Sequence, residues 1–220
     1  MLTLVLTRHG RTARSEPEQH LGQRIDIGLS SDGVEAARAL AVRLEGVEFG
    51  RVVSSPLARA RETAAIVAPE ATAETDARLL EMDYGSWEGL TYEQIEERDG
   101  PARRLWEMDP AGLACPGGES GEDVARRTRA FLEEAVEWSE SVPGRPADDR
   151  RLLVVAHSTT NRILLCVALG VPVRDYRKRF RQEPANLTVL RFAGPRGSGA
   201  QLLLANDMAH VRGTRGATWD

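Results

Sequence analysis

The sequence predicts an α/β fold, a three-layer α/β/α sandwich with a mostly parallel central sheet, one antiparallel edge strand and a cap-like insertion. Two observations lead to this prediction. Residues 2–7 and 152–156 are almost entirely apolar, which is typical of strands covered on both faces. Segments with apolar residues at helical spacing alternate with such strands, which favours helices on both sides of one sheet.

Capping residues, a proline and a glycine set the predicted boundaries of several elements. Asp32 followed by Glu35 resembles a capping box that opens the first helix, and Pro56 suits the first turn of the second. Gly170 ends the helix that follows the second apolar strand. The predicted helices cover residues 32–46, 56–67, 92–98, 122–139 and 158–169. The shorter predicted strands cover residues 51–54 and 71–75, and residues 187–192 and 201–205 form a closing hairpin.

Length and composition favour one compact domain. The chain has 220 residues, of which 41% are hydrophobic, enough for a substantial core. We therefore expect a single domain over residues 1–220. Residues 82–121, rich in Gly, Pro and Trp, form its cap or insertion.

Charge and cysteine content exclude several classes of function. A formal net charge of −4 argues against nonspecific binding to nucleic acid or to a membrane surface, which requires a dense basic face. Two distant cysteines, Cys115 and Cys166, give no disulfide framework. The apolar N-terminus lacks signal-peptide features and no segment reaches membrane-spanning length, so we expect a cytoplasmic protein.

Candidate chemistry lies at the ends of the two apolar strands. His9 follows the first and His157 follows the second, and adjacent central strands would bring the two histidines together at the ligand-binding edge of the sheet. A zinc site is one interpretation, but the sequence has no HExxH, HxH or CxxC spacing. Two structural histidines at the sheet edge are a second interpretation, and phosphoryl transfer is a third.

Nearby arginines favour phosphoryl transfer. Arg8 precedes His9, Arg59 follows another strand end, and Arg162 lies one helical turn after His157. A transferring phosphoryl group needs positioning and positive charge around its oxygens. These side chains can supply both, so we expect neither a metal nor an organic cofactor.

The ordered motifs resemble the histidine phosphatase superfamily, in the branch that holds cofactor-dependent phosphoglycerate mutases and small-metabolite phosphatases. The matching blocks, in chain order, are Arg8-His9-Gly10-Arg11-Thr12, Asp26 to Ser30 with Gly33, Ser54 to Ala64, Leu80-Glu81 with Gly85, Trp87, Glu88 and Gly89, Pro116 to Ser120, and Val154 to His157 with Arg162. A single R-H-G triplet is weak evidence, whereas several blocks in the right order are specific.

The resemblance implies a role for each matching residue. His9 would be the nucleophile that forms a phosphohistidine, and it must be neutral to attack. Arg8, Arg59 and His157 would hold the phosphoryl oxygens. Glu81 would protonate the leaving oxygen and later deprotonate the attacking water.

Further phosphate-binding or substrate-binding positions follow from the same resemblance. They are Thr12, Ser15, Gly22, Gln23 and Ser158. The family often has Asn at the position of Ser15, Arg-x-Gln-Gly at residues 20–23, and Gly-Gly at residues 158–159. The phosphate-binding end therefore matches the family, while the substrate end departs from it.

Several side chains have competing interpretations. Asp83 and Glu88 are rival acids to Glu81, and Trp87 is interpreted as cap packing. His210 is interpreted as structural. The basic runs at residues 126–127 and 177–179 are interpreted as solvated faces. Five side chains are candidates for binding an anionic substrate group: Arg11, Arg14, His20, Arg24 and Arg103.

A phosphatase is the favoured activity. The segment between Glu81 and His157 is shorter than in the mutases, although Arg103-Arg104 resembles their carboxylate-binding pair. The alternatives are mutase-type transfer and a non-catalytic module that binds a phosphorylated ligand. The expected partner is a small phosphorylated metabolite, and the chain is expected to be a monomer or a homodimer.

Overall fold

A computed structural model describes residues 1–141, 150–193 and 199–212. Its strands are β1 (Leu2–Arg8), β2 (Arg51–Ser54), β3 (Glu74–Thr75), β4 (Arg150–Ala156), β5 (Leu187–Phe192) and β6 (Gln201–Asp207). Its α-helices are α1 (Ser31–Arg43), α2 (Ala58–Val67), α3 (Tyr92–Met108), α4 (Gly121–Ser141), α5 (Ser158–Leu169), α6 (Tyr176–Arg179) and α7 (Ala209–Arg212).

The six strands form one mixed sheet in the order β3-β2-β4-β1-β5-β6. Strands β1 to β4 pair in parallel. Antiparallel pairing is confined to one edge, where β5 runs against β1 and β6 runs against β5. The predicted mostly parallel sheet and closing hairpin are therefore confirmed.

The register of the two central strands positions the candidate site. Arg8 at the end of β1 pairs with Ala156 at the end of β4. The chain then enters a loop at His9 and helix α5 after His157, so both histidines leave the sheet at the same level. This register is the physical basis for their proximity.

Helices cover both faces of the sheet, as the apolar strands predict. On one face, Leu4 and Val154 belong to a core that includes buried residues of α4 and α5. On the other face, Val5 and Val155 belong to a core with α1 and α2. Residues of alternate parity thus point to opposite faces, and the three-layer sandwich is confirmed.

The structure corrects the predicted start of two helices and the predicted length of one strand. The side chain of Ser30, not Asp32, accepts the hydrogen bond from Gly33 N that caps α1. Helix α2 begins at Ala58, because Leu57 occupies its extended N-cap position and Pro56 lies before it. Strand β3 comprises only two residues, Glu74–Thr75, instead of the expected five.

The cap segment contains more helix than its glycines and proline indicate. Thr91 and Gln94 form a complete capping box at the start of α3, which continues to Met108 across a kink at Asp99. Pro101 lies just after that kink, where its missing N–H costs little. Buried residues of this segment, among them Trp87 and Trp106, form a third core cluster with residues of α4 and α5. Residues 142–149, most of the loop of the predicted hairpin and the tail from residue 213 lie outside the described residues.

Candidate active site

His9 lies at the exit of β1 with its ring orientation fixed by the backbone. The backbone N–H of His9 donates to Ala156 O at 3.0 Å, which continues the β1–β4 pairing by one residue. Its Nδ1 lies 2.7 Å from Gly10 O. A carbonyl oxygen only accepts, so Nδ1 carries the proton and Nε2 carries the lone pair. The ring centroids of His9 and His157 are 5.1 Å apart.

Both histidines have a pKa well below the ordinary value of 6.5. Burial is the main cause in each case, because desolvation penalises the imidazolium form. Arg59 and Arg8 lower the pKa of His9 further. His157 is also affected by Arg59 and by His9 itself. The neutral state expected for His9 thus follows first from burial and then from the neighbouring arginines.

Arg8 is held from the antiparallel edge of the sheet. Its Nη1 donates to Gln182 O at 3.1 Å, and its backbone N–H donates to the Asn186 side chain at 3.0 Å. One carboxylate oxygen of Glu18 lies 3.8 Å from Nη2. Gln182 and Asn186 carry no motif, so only the tertiary structure reveals their role in orienting Arg8.

Arg59 is completely buried and ties α2 to the loop after β1. Its Nη2 donates to Gly22 O at 2.8 Å and to Leu21 O at 3.3 Å, and its Nη1 donates to Ile25 O at 3.2 Å. Gly22 is needed at this turn, because a Cβ there would lie 2.8 Å from Met82 O. Gly22 therefore supports Arg59 through its backbone.

Several buried polar atoms around His9 lack hydrogen-bond partners within the described residues. They are Nε of Arg8, Nε of Arg59 and both ring nitrogens of His157. Buried polar groups in folded proteins are almost always hydrogen-bonded. An anion beside His9 would satisfy several of these groups at once.

The Glu81 carboxylate is bound to the N-terminus of α5. Oε1 accepts from the backbone N–H groups of Met82 and Thr160 and from the Thr160 hydroxyl, at 2.9, 3.0 and 3.1 Å. Oε2 accepts from the backbone N–H of Thr159 at 3.1 Å. The Thr160 hydroxyl also donates to Leu80 O at 2.7 Å, so it is shared between two acceptors. Oε1 thus has two backbone donors and a shared hydroxyl, whereas Oε2 has one backbone donor.

A polar network holds the backbone at Glu81. Arg127 donates to Leu80 O at 2.6 Å and to Glu81 O at 3.2 Å, and it pairs with Glu119 at 3.1 Å. Gln23 donates to Glu81 O at 2.8 Å and to Glu119 at 3.2 Å. The interpretation of Arg127 as a solvated charge is therefore wrong, because its guanidinium is turned inward to carbonyl groups.

One cavity of about 120 Å³ joins these groups. Of the catalytic and phosphate-binding positions that the resemblance implies, five line it: Arg8, His9, Ser15, Glu81 and Ser158. Arg59 and His157 are fully buried and lie outside its lining. Thr12, Gly22 and Gln23 are also absent from that lining among the residues described.

Thr12 and Ser15 shape the loop beside His9. The Ser15 hydroxyl accepts from the Thr12 N–H at 3.0 Å, and Thr12 Oγ1 accepts from the Arg14 N–H at 3.3 Å. Both side chains are therefore engaged in a local turn, with Ser15 also facing the cavity.

The outer part of the cavity has aromatic residues that the motifs do not mark: Tyr84, Tyr92, Trp106 and Tyr176. Arg162, which belongs to the second-histidine motif, also lines it. So do Arg177 and two of the candidates for an anionic substrate group, Arg14 and His20. The expectation that Arg177 is a solvated charge is wrong, because its guanidinium lies over the ring of Trp106. The sequence signal for this part of the cavity was the aromatic residues of the cap segment together with the basic run at residues 177–179.

The remaining candidates have other partners. Asp83 accepts from Gly85 N, and Glu88 accepts from Arg24 N and Ile25 N, so both rival acids hold loops. Arg11 pairs with Glu16 and Arg24 with Asp83. Arg103 and Arg104 both pair with Glu96. His210 Nε2 lies 2.8 Å from Ala185 O, which fits a structural role.

The described residues contain neither a membrane-spanning helix nor a group of metal ligands. Within residues 1–141, 150–193 and 199–212, no helix is long and apolar enough to cross a membrane. Over the same part of the chain, no group of three or more His, Cys, Asp or Glu side chains is placed to hold a metal ion.

Comparison with known proteins relates this geometry to a family. The model of the histidine phosphatase superfamily (branch 1) matches residues 4–207. A bifunctional protein of Mycobacterium tuberculosis is 35% identical over 91% of this chain, and the chain spans 53% of that relative's length, about half. Glucosyl-3-phosphoglycerate phosphatase of M. tuberculosis is 35% identical over 79% of this chain and 78% of its own.

A solved structure agrees with the sequence relatives. The mycobacterial glucosyl-3-phosphoglycerate phosphatase, in complex with inorganic phosphate, superposes with a TM-score of 0.83 at 33% identity and covers 94% of this chain and 98% of its own. The family match extends from β1 to the end of β6 and includes both histidines. The chain therefore belongs to the histidine phosphatase superfamily, branch 1.

Proposed function

We propose that the protein is a phosphomonoester hydrolase that acts on a small phosphorylated metabolite through a phosphohistidine at His9. The observation that supports this most strongly is the tautomer of His9, with Nδ1 bonded to Gly10 O. The site then has a lone pair on Nε2, in a cavity shared with Arg8 and Glu81. Relatives named glucosyl-3-phosphoglycerate phosphatase and phosphoserine phosphatase support the same activity.

His9 is suited to attack without prior deprotonation. Its pKa lies well below the ordinary value because of burial and the nearby guanidinium groups of Arg59 and Arg8. The imidazole is therefore neutral at physiological pH and its Nε2 can bond to phosphorus. In the first step the N–P bond forms while the bond from phosphorus to the ester oxygen breaks.

The unpaired buried donors suit a phosphoryl group. Arg8 and Arg59 provide positive charge, and His157 provides ring nitrogens without other partners in the described chain. Charge of this kind stabilises the equatorial oxygens during transfer, and it is provided here by side chains. We infer that the reaction proceeds without a metal ion.

Glu81 would handle the proton. In the first step its protonated Oε2 gives a proton to the leaving oxygen, and the alcohol departs. In the second step Glu81 takes a proton from water while the water oxygen attacks phosphorus and the N–P bond breaks. Inorganic phosphate leaves, and neutral His9 and protonated Glu81 are restored.

Water is the favoured acceptor over a second metabolite. The arginine pair that holds the substrate carboxylate in the mutases corresponds to Arg103-Arg104, and this pair is bound to Glu96 instead. Neither arginine belongs to the cavity lining within the described residues. This arrangement favours the hydrolase over the mutase.

The proposal is tested by release of p-nitrophenol from p-nitrophenyl phosphate in the presence of EDTA. The wild-type protein should turn over many times, and His9→Ala should lose essentially all activity. His210→Gln serves as the matched control, because it retains a donor to Ala185 O and lies outside the site. Full activity of His9→Ala, or activity that EDTA abolishes, would overturn the proposed mechanism. Conversion of 3-phosphoglycerate to 2-phosphoglycerate with a bisphosphoglycerate primer would support the mutase instead.

A further inference from the structure

The cavity contains more positive charge than phosphoryl transfer requires. Arg14, Arg162 and Arg177 line it in addition to Arg8. Its acidic lining residues, within the described chain, are Glu81 and Glu18. The Glu81 carboxylate is bound to α5, and Glu18 lies 3.8 Å from Arg8. The outer arginines therefore remain available for charge on a ligand.

Arg177 is fixed in place and points into the cavity. Its guanidinium lies 5.0 Å from the centroid of the Trp106 ring, and its Nη2 donates to the Tyr92 hydroxyl at 3.3 Å. The nearest carboxylate oxygen, on Glu107, is 4.0 Å away, at the limit of an ion pair. Stacking on an aromatic ring orients the planar guanidinium. The bond to Tyr92 uses one of its N–H donors, so others remain for an oxygen ligand.

Arg162 has unsatisfied bonding capacity on the same cavity. Its Nε is buried and has no hydrogen-bond partner among the described residues. Within the same part of the chain it forms no ion pair. It lies on α5, one helical turn after Ser158, where it faces the reaction site from the helix side.

The position of these arginines limits where a second anion can lie relative to the reacting phosphorus. Arg162 follows Ser158 by one helical turn, and Arg177 lines the same cavity as His9, so both side chains surround one ligand site. Arg8 and Arg59 balance the two charges of a phosphomonoester. Arg162 and Arg177 are then left to face whatever group lies next to the ester.

We propose that Arg162 and Arg177 bind a second anionic group, a carboxylate or a second phosphoryl group, within a few atoms of the phosphomonoester. This inference rests on the proposed hydrolase function and specifies its substrate class. Arginine provides paired N–H donors that match two oxygens of such a group. An analogue that lacks the second anion would leave both guanidinium groups without a ligand, so kcat/KM for that analogue should be lower.

The experiment compares matched substrate pairs. 3-Phosphoglycerate and glycerol 3-phosphate differ in a carboxylate against a hydroxymethyl group. 1,3-Propanediol bisphosphate and 1,3-propanediol monophosphate differ in a second phosphoryl group. We expect kcat/KM to be at least about tenfold higher for the charged member of one pair, because charge-assisted bonds are strong. The pair that shows the preference identifies the anion.

Variants locate the effect. Arg177→Gln should lower kcat/KM for the preferred substrate by about tenfold or more, while kcat/KM for the analogue that lacks the second anion changes by less than about twofold. For Arg162→Gln, the ratio of the two kcat/KM values should fall by about tenfold. Arg177→Lys should restore part of the preference. Arg179→Gln is the matched control, because Arg179 is exposed on the same short helix and lies outside the cavity lining.

The outcomes separate this inference from the proposed function. If p-nitrophenyl phosphate is hydrolysed but neither charged substrate is preferred, the second anion site is wrong and the hydrolase stands. The same conclusion follows if the Arg162 and Arg177 variants lower both members of a pair equally. If p-nitrophenyl phosphate and all four esters are left intact, the proposed function itself fails.

Discussion

The Nδ1 atom of His9 lies 2.7 Å from the carbonyl oxygen of Gly10, the next residue in the chain. Because that oxygen can only accept, the contact fixes one tautomer and leaves Nε2 unprotonated. A backbone contact between neighbouring residues does not depend on bound substrate. The nucleophile is therefore set up by the turn at the end of β1.

The acid limb of activity should lie well below pH 6.5. Burial, Arg59 and Arg8 lower the pKa of His9, so the neutral imidazole persists as the pH falls through the ordinary histidine range. We expect kcat/KM for p-nitrophenyl phosphate, corrected for ionisation of the substrate, to stay nearly constant from pH 7.5 to about pH 6. A loss of about fourfold over that interval, which an ordinary pKa of 6.5 would give, would show that His9 titrates normally.

The free energy of unfolding should depend on pH because of the same pKa shifts, and the direction of that dependence is fixed. His9 and His157 have a lowered pKa in the folded state, so below pH 6.5 the unfolded chain binds more protons than the folded one. The free energy of unfolding should fall as the pH drops from 7 into this window, by up to about 1.4 kcal/mol per pH unit for each histidine. Urea titrations of the wild type and of His157→Asn measure the slope. An unchanged slope in His157→Asn would contradict the shift at that residue.

Replacing Arg59 should damage both activity and folding. Arg59→Ala leaves three carbonyl groups, on Leu21, Gly22 and Ile25, without their donor. We expect a loss of about 2–4 kcal/mol in the free energy of unfolding and a fall of at least about 100-fold in kcat/KM. Arg61→Ala, on an exposed position of the same helix, is the control and should change neither quantity appreciably. Equal behaviour of the two variants would remove Arg59 from the site.

Glu81→Gln should reveal its role through the leaving group. An amide keeps the shape of the side chain but cannot donate a carboxyl proton, so alkyl phosphates, whose alkoxides leave poorly, should lose about 100-fold or more in kcat. p-Nitrophenyl phosphate, whose leaving group needs less protonation, should lose much less in the phosphorylation step. Asp83→Asn tests the rival acid, and it should affect both substrates alike. The same loss for both leaving groups in Glu81→Gln would contradict an acid role.

Arg127 should act on the reaction through Glu81 without contacting substrate. Its bonds to Leu80 O and Glu81 O hold the backbone from which the carboxylate projects. Arg127→Gln should lower kcat by about tenfold with little change in KM, since a displaced acid harms the chemical step more than binding. Arg126→Gln, at a neighbouring exposed position, should be silent. A change confined to KM would mean that Arg127 positions the substrate side instead.

The central part of the fold and of the site was accessible from sequence. Apolar runs before His9 and His157 predicted two buried strands, and strand ends at one edge of a sheet predicted that the histidines meet. This succeeded because register and strand direction follow from local apolar patterns and chain order. Arg59 followed from the same logic, as the first turn of the helix after β2 lies at that edge.

The contact between Arg177 and the aromatic lining of the outer cavity could not be predicted from the sequence, for a physical reason. Arg177 and Trp106 are far apart in the chain and meet only because the cap segment folds over α5 and α6. A basic run at residues 177–179 looks the same whether its first member faces water or an aromatic ring. Arg127 is a similar case, because its partners are the backbone carbonyl groups of residues 80 and 81. Every residue has such a group, so the sequence does not show which of them a guanidinium will bind.

The phosphorylated residue itself provides the most direct test. The protein should be mixed with ³²P-labelled substrate, quenched in alkali within milliseconds and digested, and the labelled peptide should then be sequenced. We expect an alkali-stable, acid-labile phosphoramidate on the peptide that contains His9, absent from His9→Ala and retained in His210→Gln. Turnover without any label on His9, or label on another residue, would contradict it.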